Sequence, residues 1–118
     1  MTKCALITGG SGQDAWYLSE RLLGYGYVVH LQTRNEGVTD RRSGLHWHVG
    51  DLTDSEFLSE LISSLQPDEI YNLASVSRPS MAWGVPFQTA MLNALVPQQI
   101  CEFIRAFPQI RLLRVGLL

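Results

Sequence analysis

The chain has 118 residues, a net charge of −2 at neutral pH and 46% apolar residues, which suits one domain around a single core. Its charges are scattered and form no basic stripe, so nucleic-acid binding has no compositional support. Neither a run of about 18 apolar residues nor a charged segment followed by an apolar one opens the sequence, so no membrane span and no secretion signal are predicted. Cys4 and Cys101 show no metal or redox spacing; both read as small buried hydrophobes in a reducing, cytoplasmic compartment.

Lys3 to Leu18 organises the rest. A short apolar run, Cys4-Ala5-Leu6-Ile7, leads through Thr8-Gly9-Gly10-Ser11-Gly12 into a segment with helical apolar spacing. Strand, tight glycine-rich turn and helix in that order place free helix N–H groups and the positive end of a dipole where a pyrophosphate can be held. Gly9 supplies the turn, Gly12 lets the backbone approach the phosphates, and Ala15 takes the third fingerprint position, where helix and strand pack closely. Without that context a G-x-x-G-x-x-A spacing is weak, because many glycine turns hold no ligand.

Asp14 to Tyr25 is predicted as a helix, with Ala15, Leu18, Leu22 and Leu23 on one face and a stop at Gly24 and Gly26. Tyr27 to Thr33 reads as a second strand, within which His30 is a sheet histidine rather than a ligand. Arg34 to Gly44 is a polar loop, and Leu45 to Val49 a third strand. His46 and His48 share a face of that strand by its two-residue period, but no third ligand lies at a matching offset, so no metal is predicted. Asp54 or Thr53 caps a helix running through Phe57, Leu58, Leu61, Ile62 and Leu65. Gln66-Pro67-Asp68 breaks it before a fourth strand, Glu69 to Ala74. Ser75 to Val85 is a loop. Pro86 opens a long helix toward Phe107, in which Pro97 predicts a kink or break. Ile110 to Leu118 forms a fifth strand. This alternation gives an α/β fold: a Rossmann-type, doubly wound parallel sheet of five strands in the order 3-2-1-4-5, with right-handed crossovers.

Ligands in such sheets lie beyond the carboxyl ends of the strands. Those ends are Thr8 to Gln13, Thr33-Arg34, Asp51-Leu52 and Leu73-Ala74-Ser75. After strand two a carboxylate suits a free ribose 2′-hydroxyl, whereas an arginine accommodates a 2′-phosphate. Arg34 stands there with no acid before Glu36, and Arg41 and Arg42 follow, so NADP is favoured over NAD. Asp51 accepts from the adenine amino group, with Leu52 on the ring, or caps the following helix; the two roles are compatible. Asp14 is favoured by the helix dipole but repelled by pyrophosphate, so it is expected to turn away from the ligand.

These residues carry a resemblance. Ala5-Leu6-Ile7-Thr8-Gly9-x-x-Gly12-Gln13-Asp14, Tyr17-Leu18, His30, Arg34, Gly50-Asp51-Leu52-Thr53-Asp54-Ser55, Gln66 to Ala74, Ser77 and Trp83-x-x-Pro86 resemble the N-terminal part of the GDP-mannose 4,6-dehydratase family, within the extended short-chain dehydrogenase/reductase superfamily. The resemblance covers about residues 4 to 103. It implies a tightly held NADP that accepts hydride from C4 of the hexose, permits loss of water across C5 and C6, and returns the hydride to C6. It also implies a cofactor site at Thr8, Gly9, Ser11, Gly12, Gln13, Asp14, Arg34, Asp51, Leu52, Leu73, Ala74 and Ser77. The sequence departs from the family at Ala15, Val76, Arg78 and Val96-Pro97.

The family's chemistry needs a Tyr-x-x-x-Lys pair, in which lysine lowers the tyrosine pKa for general-base work, and a nearby Ser or Thr and Glu. Lys3 is the single lysine, and Tyr17, Tyr25, Tyr27 and Tyr71 are followed four residues later by Arg21, Val29, Leu31 and Ser75. No catalytic residue is therefore assigned. The expectation is that residues 1–118 form one NADP-binding domain, truncated or naturally short, without the region that binds the nucleotide-sugar and inactive by itself. A GDP-sugar partner is expected only where that region is present. The alternatives are a non-catalytic nucleotide-binding module or remnant, or a fragment of a related nucleotide-sugar epimerase or reductase. The apolar end, Leu112 to Leu118, reads as an edge strand through which two copies pair.

Overall fold

The computed structural model describes residues 2–37, 42–74 and 94–114. Its elements are β1 (Cys4–Thr8), α1 (Gln13–Gly24), β2 (Val28–Thr33), β3 (Leu45–Val49), α2 (Ser55–Leu65), β4 (Glu69–Asn72), α3 (Val96–Ile104) and β5 (Arg111–Arg114). The five strands pair in parallel in the order β3-β2-β1-β4-β5. This is the predicted sheet, and its switch point lies between β1 and β4, where the chain changes direction across the sheet.

Residue alternation in β1 explains the two layers. Ala5 and Ile7 enter one buried cluster with Ala15 and Leu22 of α1 and Val29 and Leu31 of β2. Leu6 enters the other with Leu58, Leu61 and Ile62 of α2, Ile70 of β4, and Val96 and Ile100 of α3. A strand covered on both faces needs a continuous apolar run, and Ala5, Leu6 and Ile7 are all fully buried.

Element ends differ from the expected ones by local chemistry. α1 begins at Gln13 and stops at Gly24, with Tyr25 as its cap and Gly26 following at a φ of 85°. Asp54, rather than Thr53, caps α2: its carboxylate accepts from the Glu56 and Phe57 amides at 3.1 and 3.3 Å. Pairing in β4 ends at Asn72, not Ala74. Pro97 interrupts nothing in the described helix, since it occupies the first turn of α3, where no intrahelical N–H bond is required. A wider, π-type turn at Ala94 and Leu95 precedes it. Cys101 is exposed on α3, contrary to the expected burial, whereas Cys4 is half-buried in β1. The predicted loop at 75–85, the first part of the helix expected from Pro86, and the end of the fifth strand at 115–118 lie outside the described residues. Within them, no helix is long and apolar enough to cross a membrane.

His30 faces its register partner His46 across β2 and β3, the rings stacking at 4.9 Å, and its Nδ1 lies 2.9 Å from Nε2 of His48. The third imidazole beside the His46/His48 pair thus comes from the neighbouring strand, a relation no offset within β3 reveals. The ring nitrogens of His30 and His48 engage each other, and among the described residues no group of three His, Cys, Asp or Glu side chains is placed to hold a metal ion. Burial, then the neighbouring imidazoles, pushes His30 from its ordinary 6.5 down to about 4, and burial and His46 lower His48 as well. A lowered folded pKa means that the unfolded chain takes up protons first as pH falls. The contribution to stability is therefore complete above about pH 6.5 and is lost as pH falls toward 4. We expect the urea midpoint to fall between pH 7.5 and 5, and to fall less in a His30→Gln variant; equal falls would refute the assignment.

At the amino ends of the strands, the phenols of Tyr27 and Tyr71 both donate to the Glu69 carboxylate, at 3.2 and 3.0 Å. Burial and that carboxylate push Tyr71 up to about 12 and raise Tyr27. Lys3 lines a cavity with these two tyrosines, at the opposite end of the strands from the glycine-rich turn.

Candidate functional site

The carboxyl ends of β1 and β2 and the turns after β3 and β4 enclose a cleft of about 220 Å³, lined by Gly9, Ser11, Gln32, Thr33, Arg34, Asn35, Leu52 and Ala74. The glycine-rich turn forms one wall. Gly9 has a φ of 69°, and a Cβ there would lie 2.9 Å from both Cα and N of Ala74, so both conformation and space require glycine. Gly10 is restricted too, by Leu31 Cβ at 2.8 Å and the Gln32 carbonyl at 3.1 Å. Gly12 is different. It is the N-cap of α1 in extended backbone, no side chain caps the helix start, and a Cβ would meet only the Gly9 carbonyl at 3.6 Å. The first-turn N–H groups of α1 are thus without a side-chain cap, which is the arrangement that receives an anion. Ala15 is buried under the turn, in contact with the β1 layer.

Thr8 is fully buried, and its hydroxyl lies 2.5 Å from Asn72 Oδ1 and accepts from the Ala74 amide at 3.2 Å. It therefore fastens the end of β1 to the end of β4, next to the cleft residues Gly9 and Ala74, leaving its hydroxyl committed to protein groups. Asn72, its partner, is one residue that sequence reasoning did not single out.

Arg34 follows β2 with its side chain 59% exposed, and its guanidinium is 4.0 Å from Asp51 Oδ2. The other Asp51 oxygen accepts from the Thr53 amide and hydroxyl at 2.9 and 2.7 Å. Asp51 thus closes a turn before α2 rather than capping the helix, and the Thr53 amide, with its hydroxyl and Arg34 adding to it, holds the carboxyl below its usual range. Arg42 has a separate role: its guanidinium lies 4.6 Å from the Trp16 ring and donates to Ser19 Oγ at 2.9 Å, which ties the loop after β2 to α1.

The structure brings Gly9, Ser11, Arg34, Leu52 and Ala74 together around the cleft. Gly12, Gln13 and Asp14 lie exposed at the start of α1, and Asp51 lies beside Arg34. Leu73 instead packs against the buried layer beneath α1. Ser77 and Arg41 lie outside the described residues. Gln32 and Asn35 line the cleft without having been predicted, on either side of Thr33, which the sequence places at the ligand-facing end of the strand. A signal for Gln32 was present: an amide in a strand whose inner residues are otherwise Val29, His30 and Leu31, one residue short of its end.

A family model described as GDP-mannose 4,6 dehydratase matches residues 6–116. The chain belongs to that family. A GDP-mannose 4,6-dehydratase of Vibrio cholerae is 39% identical over 116 residues, covering 87% of this chain and 31% of that protein. The chain therefore spans about a third of the length of the curated relatives it matches. Among solved structures, an epimerase of Methanothermobacter thermautotrophicus superposes with a TM-score of 0.83 at 20% identity, covering 96% of this chain and 34% of the other. The UDP-glucose 4-epimerase of Thermus thermophilus in complex with NAD gives 0.80 at 21% identity, covering 92% and 36%. At those identities the likeness is one of fold: this GDP-mannose dehydratase-family chain shares the doubly wound sheet of the epimerases.

Proposed function

We propose that this chain is the dinucleotide-binding part of a nucleotide-sugar dehydratase and that its cofactor is NADP. The observation that carries the proposal is an exposed Arg34 in the cleft walled by Gly9 and Ser11, the turn that leads directly into the uncapped start of α1, open at Gly12. The helix start suits a pyrophosphate and Arg34 a ribose 2′-phosphate. Leu52, almost wholly buried in the core, borders the cleft and lends the adenine only an apolar edge, and the Asp51 carboxylate beside it is available to an amino group. Ser11 lies exposed on the same wall as Gly9 and adds a hydroxyl. The Thermus epimerase, which shares the fold, was solved with NAD.

When bound, the nicotinamide supplies hydride acceptance and return. The start of α1, Ser11 and Arg34 would hold the dinucleotide through its phosphates. The described residues provide no tyrosine–lysine base at the cleft: the half-buried phenol of Tyr71, pushed up to about 12, and Lys3 both lie toward the other end of the strands. We accordingly infer that this chain by itself binds the cofactor without turning over a GDP-sugar.

Titration of NADPH and NADH into the purified chain, followed by nicotinamide fluorescence, tests the proposal. Saturable binding with NADPH the tighter of the two is expected. Absence of binding of both at millimolar concentration would overturn it, and tighter NADH binding would overturn the choice of NADP.

A further inference from the structure

We propose that Gln32 is a positioning residue that holds the two walls of the cofactor cleft in register. This rests on reading the cleft as a dinucleotide site. Gln32 is only 2% exposed, yet it uses both ends of its amide. Its Oε1 accepts from the Gly9 N–H at 2.9 Å, and its Nε2 donates to the Gly50 carbonyl at 2.8 Å. Its own main-chain carbonyl accepts from the Gly10 amide at 2.6 Å. One residue at the end of β2 therefore links the glycine-rich turn on one side to the turn that begins at Gly50 on the other.

Each linked segment places part of the site. The Gly9 peptide orientation fixes the direction in which the chain enters Gly12 and the first turn of α1. The Gly50 peptide leads directly into Asp51 and Leu52. Gly50 itself packs so close against the Phe57 ring that no Cβ fits there, which ties this turn to α2 as well.

The chemistry demanded of residue 32 is narrow. The side chain has to accept from an N–H and donate to a C=O at the same time in a buried place, and an uncharged primary amide of glutamine length does both. A leucine of similar volume leaves both backbone groups without that partner. A glutamate keeps the acceptor for Gly9 but turns a carboxylate oxygen on the Gly50 carbonyl. Protonation restores a donor there, so the protonated glutamate reproduces the amide.

The test uses the whole chain as wild type, Gln32→Leu and Gln32→Glu, with NADPH and inorganic pyrophosphate as probes. Circular dichroism and urea midpoints establish the folded fraction, and affinities are compared per folded molecule. We expect Gln32→Leu to weaken NADPH by about 10-fold or more, as loss of a buried hydrogen-bond pair would. Pyrophosphate, which needs one wall only, should weaken by less. In Gln32→Glu the NADPH affinity relative to wild type should recover as pH falls from 8 to 5, a profile that loss of packing would not produce. Should Gln32→Leu fail to fold, the pH profile of Gln32→Glu decides. A folded Gln32→Leu that binds NADPH within about twofold of wild type, or a Gln32→Glu ratio flat with pH, overturns the inference. A wild type that binds no dinucleotide overturns the cofactor reading and this inference with it.

Discussion

Gly12→Ala is expected to leave a folded chain whose affinity for NADPH has fallen about 100-fold or more, whereas Gly9→Ala is expected to damage the fold itself. Gly12 has φ −80° and ψ 165°, an extended conformation open to any residue, and its added Cβ would meet nothing closer than 3.6 Å. The fold therefore tolerates alanine there. A methyl group at the helix start would instead stand where a pyrophosphate must approach, with the loss of two or more charge-assisted hydrogen bonds worth about 1.5–3 kcal/mol each. At Gly9 alanine meets both a left-handed backbone and the Ala74 main chain at 2.9 Å. Strain and overpacking of this kind cost about 2–5 kcal/mol together, so the urea midpoint should drop sharply. Urea titration and NADPH binding on both variants separate the two effects. A Gly12→Ala chain that binds NADPH as the wild type does would show that no phosphate approaches the start of α1.

Arg34→Ala is expected to weaken NADPH by roughly 10- to 100-fold, the worth of a charge-assisted contact to phosphate, while NADH binding changes little. The fold should be unaffected, because the Arg34–Asp51 pair is 4.0 Å apart and exposed on both sides, and such pairs contribute little to stability. Added salt should weaken NADPH binding in the wild type more than in the variant. Equal losses for the two nucleotides would move Arg34 to a part of the ligand that they share and would remove the ground for preferring NADP.

The sheet order was legible because β1 carries a continuous apolar run, the other strands hold short apolar or alternating stretches rich in Val, Ile, Leu and aromatic residues, each helix carries a 3.6-residue stripe, and glycine or proline marks most of the turns between. The position of the cleft was legible for the same reason, since strand ends follow from strand assignments. Less of the site's internal wiring could be read. Gly10 is short of space as Gly9 is, though not in a left-handed conformation, and its neighbours are Leu31 and Gln32 on the adjacent strand. Thr8 ends β1 as its sequence position indicates, yet its hydroxyl serves Asn72 and Ala74, more than 60 residues away. Arg34 and Arg42 look alike in one polar loop, and only packing against Trp16 and Ser19 separates them. Local pattern reports which residues face inward or end an element. It does not report which of two buried polar groups from distant segments will meet.

The bond set that Thr8 makes with Asn72 and the Ala74 amide has a consequence for the thermodynamics of ligand capture. Because the ends of β1 and β4 are already fastened to each other, the conformational entropy of those two strand ends is lost when the chain folds. A dinucleotide bound as proposed would meet no ordering penalty at these two ends, so that a small number of polar contacts there would suffice for tight retention.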